Sequence, residues 1–363
     1  MSAEPEPSRK VDAPSLDEKL RFLRATAAEA GPADPVHEQE THMSWVFFAG
    51  DRVLKLKKPV RFSFLDFTTL SAREFFCREE VRLNSRLAPG VYLGVLALQA
   101  DGDAWSLVPD DHLPARGRTV DWLVSMRRLP PERTLLHLIG KRSVEPRDID
   151  ALIERLVAFY RLAPRIDITP DGYLDRFRSQ HIADRELLMN PRWRLPDAAR
   201  ALDAFDAALT RWAPTLQERA RQGRIVEGHG DLRPEHVWLM RPPVVIDCLE
   251  FSASLRQVDP FDELAFLALE CGLAGADWIG ERLVTGCAAA LGDAPSPALM
   301  AIYTAQRALL RARLAMAHLL DPQPRTPERW PLQAGRYLGR ALDALDTLAV
   351  SAALSPEGRP GSP

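Results

Sequence analysis

The chain has 363 residues, 46% of them hydrophobic, and a formal net charge of −3. That is enough apolar material for one large domain or two lobes with a substantial core. The only dense basic stretch is Lys55, Lys57, Lys58 and Arg61, far from the clustered basic surface that nucleic-acid binding needs.

No two of the cysteines Cys77, Cys248, Cys271 and Cys287 form a Cys-x-x-Cys pair, which argues against a structural zinc site. The first residues are polar and Pro-rich, unlike a signal peptide. Apolar runs are broken by charges before reaching about 18 residues, so no membrane span is expected. The expected location is the cytoplasm, with the thiols reduced.

Residues 1–14 and 352–363, rich in Pro, Ser, Glu and Gly, are expected to be disordered tails. Residues 44–57 read as two strands around a Gly50-Asp51 turn, with Val53, Lys55 and Lys57 on one face and Leu54 and Leu56 on the other. Residues 71–88 read as a helix, with a Ser71–Glu74 capping box at its start and Pro89-Gly90 at its end. Phe76, Glu80, Leu83 and Leu87 share one face of it. A carboxylate thus sits among inward apolar residues, where it is costly unless paired.

Val91 to Leu98, Trp105 to Val108 and Val120 to Met126 have strand character, and Arg127 to Pro131 looks like a connector. Helices are expected over 147–162, 197–212, 260–272, 277–291, 297–320 and 334–350. Between them, Val237 to Met240 and Val244 to Ile246 flank a Pro-Pro turn. A β-rich front third followed by an α-rich remainder predicts an α+β fold of two lobes. The expected domains are an N-lobe over 15–129 and a C-lobe over 130–351.

The most specific segment is His229-Gly-Asp-Leu-Arg-Pro-Glu-His236, followed by Val244-Val-Ile-Asp247. It places Asp231 in a tight polar turn, a potential metal ligand five residues later, and Asp247 at the end of a short apolar strand. Phosphoryl transfer uses such parts: one carboxylate positions the attacking hydroxyl, another holds Mg2+ against the phosphates.

This segment resembles the aminoglycoside phosphotransferase pattern H-G-D-x-x-x-x-N followed by I-D. It also resembles the protein-kinase loop H-R-D-L-K-P-E-N followed by D-F-G. The stretches T-H-M-S-W-V-F-F from Thr41, V-L-K-L-K-K-P from Val53, F-L-D-F-T-T-L from Phe64 and C-R-E-E-V-R-L-N-S-R-L-A-P from Cys77 sharpen the likeness. They resemble an uncharacterised bacterial branch of that superfamily, some members of which are fused to a P-loop kinase-like domain. The chain has no G-x-x-x-x-G-K-[ST], and the likeness covers roughly residues 38–320.

The resemblance implies a bilobal protein-kinase-like fold and site roles residue by residue. Asp231 matches the base or hydroxyl-orienting group, and Asp247 the Mg2+ ligand. Lys55 matches the strand lysine on the α and β phosphates, and Glu80 the helix glutamate paired with it. His229 matches a residue supporting loop geometry, and Asp262 an aspartate steadying the loop from below. Met126, Arg127, Arg128 and Leu129 match the adenine-binding connector. The residue pattern supports the Lys55–Glu80 pair independently, with Lys57 and Glu79 as alternates, because a one-residue slip reverses a strand face.

Departures carry their own expectations. His236 stands where the family has Asn as second metal ligand, and hard Mg2+ prefers oxygen. Arg233, two residues after the base, suits charge stabilisation on the transferring phosphoryl group. No G-x-G-x-x-G precedes Lys55, so the turn around Ala49-Gly50-Asp51 would have to cover the phosphates. Gly230 replaces the protein-kinase arginine, and no A-P-E follows Asp247; both favour a small-molecule acceptor over a protein one. The implied activity is transfer of the γ-phosphate of ATP, with Mg2+ or in its place Mn2+, to a hydroxyl of a small molecule. The alternative is a pseudokinase that binds nucleotide without turnover. Neither nucleic acid nor membrane is an expected partner, and no feature sets an oligomeric state.

Overall fold

A computed structural model describes residues 14–29, 37–62, 65–324 and 326–354. The chain divides into two compact units, Met1–Leu129 with Glu250–Ser252, and Pro130–Leu249 with Ala253–Pro363. The first is built on a sheet and the second on helices, so the architecture is the expected α+β arrangement of a β-rich N-lobe and a mainly helical C-lobe.

In the first unit, α1 (Leu16–Glu29) is followed by β1 (His37–Glu40), β2 (Ser44–Ala49) and β3 (Arg52–Lys57). A small ribbon of β4 (Arg61–Phe62) and β5 (Leu65–Asp66) leads to α2 (Leu70–Asn84). Then come β6 (Tyr92–Asp101), β7 (Ala104–Pro109) and β8 (Arg118–Arg127). Six strands form one antiparallel sheet in the order β1-β2-β3-β8-β6-β7. Strand alternation gives the sheet two working faces. Leu20, Leu23 and Ala27 of α1 pack with Phe47, Leu54, Leu56, Leu98 and Leu123. The alternate residues of β3, Lys55 and Lys57, meet Glu80 of α2.

The cap of α2 differs from the expectation. Thr69, not Ser71, is the N-cap: its hydroxyl accepts from the Ala72 amide at 3.1 Å. The helix ends at Asn84, not 88, because the Asn84 carbonyl accepts from Leu87 and Ala88 and closes a turn. Neither α1 nor the polar edge strand β1 was expected.

The second unit contains α3 (Leu135–Gly140), α4 (Pro146–Leu162), α5 (Pro170–Leu188) and α6 (Ala198–Arg221). After these come β9 (Val226–Glu227), β10 (Val237–Trp238), β11 (Val244–Val245) and β12 (Gln257–Val258). The chain then runs through α7 (Pro260–Leu273), α8 (Asp277–Leu291), α9 (Pro297–Ala317) and α10 (Arg329–Leu354). The helices expected near 147, 197, 260, 277, 297 and 334 are all present, while α3 and α5 were not expected. α6 continues past the expected end at 212, through Pro214 to Arg221. In α7, Phe261, Leu264, Ala265, Phe266 and Leu267 are all buried, as befits a helix apolar on every side.

Of the expected tails, 1–13 and 355–363 lie outside the described residues, and 352–354 belong to α10. Among the described residues no helix is long and apolar enough to cross a membrane.

Candidate active site

β9 pairs with β12, Val226 opposite Val258 and Glu227 opposite Gln257, and delivers the chain into the segment that carries Asp231. Two glycines there are dictated by space. A Cβ on Gly228 would stand 2.4 Å from Val258 Cγ2 and 2.7 Å from Glu263 Oε2. Gly230 has φ +88°, and its Cβ would meet Leu249 Cδ1 at 3.0 Å and the Leu255 carbonyl at 3.2 Å. The arginine that protein kinases carry at this position would be strained at this φ and would press on Leu249.

Asp262 does not touch this loop. It binds Arg307 through two bonds of 2.7 Å. The contact expected of it belongs to its neighbour Glu263, which accepts the Gly230 amide and, at 3.0 Å, the Tyr160 hydroxyl. Glu263 is fully buried, and burial raises its carboxyl above the usual range despite these donors.

The two aspartates converge on one imidazole. His236 Nδ1 donates to the Asp231 carbonyl at 2.9 Å and lies 3.7 Å from Asp231 Oδ2. A carbonyl only accepts, so Nδ1 carries a proton; a guanidinium only donates, so Nε2 must offer Arg233 its lone pair. That Nε2 accepts from Arg233 at 3.3 Å and faces Asp247 Oδ2 at 3.5 Å. The pairing of β10 with β11 and the bond from the Ile246 amide to the His236 carbonyl at 3.0 Å hold the two segments together. Asp247 itself has φ +65°, a region that costs a residue with a Cβ free energy and that collects at functional sites.

Asp231 is tuned by Arg233, whose guanidinium bonds its Oδ2 at 2.9 Å and also binds Glu235. Burial pushes the Asp231 carboxyl up, but the Arg233 guanidinium foremost holds it below the usual range. His229 supports the loop from inside. Its Nε2 donates to the Ile246 carbonyl at 2.9 Å, and its Nδ1 accepts the Asp231 amide at 3.2 Å.

In the first unit, Lys55 Nζ donates to Glu80 Oε1 at 2.8 Å, and Lys57 Nζ to Glu80 Oε2 at 2.6 Å. Lys57 is thus a partner in addition to Lys55, and it also binds Glu250. Glu79 is turned away and bonds Arg82 at 2.8 Å. The connector amides of Arg127 and Arg128 donate to the Val91 and Asp51 carbonyls, each at 2.7 Å. Arg128 also stacks on Phe48, and Met126 pairs with Val53 and Tyr92 within the sheet. Leu129 is the last residue of the first unit before the chain enters the second.

The Gly50-Asp51 turn is therefore tied to the connector, at the Arg52 end of β3. The turn at the lysine end of β3 is Thr41 to Ser44: Ser44 lies opposite Lys57, and the Lys58 amide bonds the Met43 carbonyl at 2.8 Å.

Among the described residues no set of three or more His, Cys, Asp or Glu side chains is arranged to hold a metal ion unaided. Mg2+ in kinases takes one or two carboxylates and completes its shell with phosphate oxygens and water. The half-exposed Asp247 carboxylate (side chain 50% exposed) fits that pattern. A lone pair on His236 Nε2 facing this carboxylate is an arrangement that a cation satisfies, although the adjacent Arg233 makes Asp247 the stronger ligand.

No family model matches the chain. It is 30% identical over 329 residues to uncharacterized proteins of Mycobacterium tuberculosis and Mycobacterium bovis, covering 89% of this chain but 62% of those proteins. The chain thus spans under two thirds of the length of the curated relatives it matches. Its backbone is similar to a choline kinase from Cryptosporidium parvum Iowa II (TM-score 0.55, 8% identity, 92% of this chain and 98% of that one). It is also similar to a thermostable mutant of aminoglycoside phosphotransferase APH(4)-Ia in its apo form (TM-score 0.54, 12% identity, 90% and 99%). A choline/ethanolamine kinase family protein from Mesorhizobium loti gives a TM-score of 0.51 at 16% identity, over 90% and 99%. At these identities the likeness is one of fold: the chain has the protein-kinase-like fold found in aminoglycoside phosphotransferases and choline kinases.

Proposed function

We propose that the protein is an ATP-dependent phosphotransferase that moves the γ-phosphate to a hydroxyl of a small-molecule acceptor. The observation that carries this reading is the approach of the Asp231 and Asp247 carboxylates to the same imidazole, at 3.7 and 3.5 Å. Asp231, held ionised by Arg233, orients the acceptor hydroxyl and receives its proton. Arg233 offers positive charge beside the group in transfer. Asp247, with His236 next to it, would hold Mg2+, which when bound neutralises charge on the phosphates. Lys55, anchored by Glu80, contacts the α and β phosphates. His229 and Glu263 keep the loop in shape.

The test is ADP release against a panel of sugars, aminoglycosides, amino alcohols and nucleosides, for the wild type and Asp231→Asn. Turnover by the wild type with a loss of about 10³-fold in the variant is the expected outcome; equal rates in the two would end the proposal. The second reading, a nucleotide-binding module without turnover, draws on the ion pair that already engages Asp231 with Arg233 at 2.9 Å. It predicts MgATP binding with no ADP release from any acceptor.

A further inference from the structure

Two lysines share one carboxylate in the first unit, and they are not equivalent. Strand alternation puts Lys55 and Lys57 on the same face of β3, opposite Val46 and Ser44 of β2. Glu80 gives one oxygen to each. The Lys57 side chain has no solvent exposure and that of Glu80 has 1%, whereas Lys55 has 16%. An external anion therefore meets Lys55 and not Lys57.

Two ammonium groups on one buried carboxylate leave an excess positive charge, and an uncompensated buried charge is expensive. Glu250 removes it. Its side chain, 9% exposed, binds Lys57 from the other side, and the Phe67 ring lies 5.1 Å from the same Nζ. Two lysines thus face two glutamates, and burial holds the Glu250 carboxyl above the usual range despite Lys57. If Glu250 were absent, Lys57 would have only Glu80 as a carboxylate partner and would compete with Lys55 for both of its oxygens. Burial pushes the Glu80 carboxyl up, but Lys55 and Lys57 together hold it below the usual range, consistent with its serving both.

We infer that Glu250 is a positioning residue for the phosphate-binding lysine: by taking up Lys57 it reserves one Glu80 oxygen for Lys55, and so fixes the ammonium that meets the nucleotide phosphates. This rests on the nucleotide reading above. It adds to that reading a division of labour, with Lys57 as a buried counter-ion and Lys55 as the ligand. Neither Lys57 nor Glu250 touches the nucleotide in this account.

The experiment is calorimetric titration of the full chain with ATP and, separately, with adenosine, which lacks phosphates. Melting temperature serves as the control for folding. Lys55→Met should lose affinity for ATP but not for adenosine. Glu250→Gln should weaken ATP binding about tenfold with adenosine binding unchanged. Lys57→Met/Glu250→Gln should recover most of the loss, because Glu80 then belongs to Lys55 alone.

A merely structural role predicts the reverse for the double variant: added damage and equal losses for ATP and adenosine. Where Glu250→Gln does not fold, the double variant read against Lys55→Met decides, since ATP affinity as poor as that of Lys55→Met overturns the inference. If the wild type binds no ATP, the nucleotide reading falls and takes the inference with it. If the wild type binds and Lys55→Met does not, while Glu250→Gln binds normally, only the role of Glu250 is overturned.

Discussion

The Nδ1–H of His236 is committed to the main-chain carbonyl of Asp231 at 2.9 Å, which leaves the Nε2 lone pair 3.5 Å from the Asp247 carboxylate. One ring thereby sets the separation of the two acidic side chains on which the proposed chemistry depends. The family resemblance puts an asparagine at this position, and an amide can make the same donation to the Asp231 carbonyl while offering oxygen in place of nitrogen.

His236→Asn is accordingly expected to tighten the response to Mg2+. Hard cations prefer oxygen, and changes at such a neighbour of a metal ligand shift affinity by roughly ten- to hundredfold. In a titration of MgATP binding, the Mg2+ concentration at half-saturation should fall about tenfold, while Asp247→Asn should raise it by at least as much. A curve that does not move in His236→Asn would show that the ring does not face the cation.

Asp262 and Glu263 are adjacent and both buried, yet their removal should differ in kind. Asp262→Asn breaks a bidentate bond to Arg307 and strands a buried guanidinium, a loss of about 3–5 kcal/mol. Glu263→Gln keeps an oxygen for the Gly230 amide and a group for the Tyr160 hydroxyl, so it should cost about 1 kcal/mol. Urea denaturation of both variants reads the difference. Equal losses would mean that Glu263 matters as a charge and not as an acceptor.

These two residues also mark how far the sequence can be read. Asp231 and Asp247 stand out because a short polar loop, a Pro-Pro turn and a terminal aspartate have a recognisable spacing. One step along α7 turns a side chain through about 100°, and with apolar residues on every face nothing in the pattern tells Asp262 from Glu263. α5 gives a weak sequence signal because its buried side includes His181 and Asp184, which interrupt the apolar stripe. β1 (His-Glu-Gln-Glu) has no apolar alternation at all and exists by pairing with β2. Lys55 and Lys57 look like rivals for Glu80 in the sequence, although strand period puts both on one face and a carboxylate has two oxygens. Glu250 gave no signal because its partner Lys57 lies 193 positions away.

Gly230→Ala should damage activity more than fold. A residue with a Cβ at φ +88° is strained, and the added carbon meets Leu249 and the Leu255 carbonyl. A penalty of about 1–3 kcal/mol is the usual scale. Relief requires a shift of the loop whose amide Glu263 holds and whose next residue is Asp231. The expected signature is a kcat reduced by about 10²-fold with the KM for ATP little changed, measured in the ADP-release assay. A change confined to KM would separate this loop from the chemical step.

The protonation of His229 should be visible in the pH dependence of stability. Burial is the main reason that its pKa drops from near 6.5 to about 4. The bonds agree: Nε2–H is used by the Ile246 carbonyl, and Nδ1 must stay unprotonated to accept the Asp231 amide. Below pH 6.5 the unfolded chain takes up a proton on this ring that the folded chain refuses until about pH 4. Stability is therefore lost as the pH falls through that window, by at most about 3 kcal/mol. His229→Gln, whose amide can still donate to the Ile246 carbonyl, lacks this component, whereas all other titrating groups are common to both proteins. The stability gap between wild type and variant, from urea denaturation, should narrow from pH 7 to pH 4.5. A gap independent of pH would mean that the ring titrates normally and that the amide of Asp231 is not held by it.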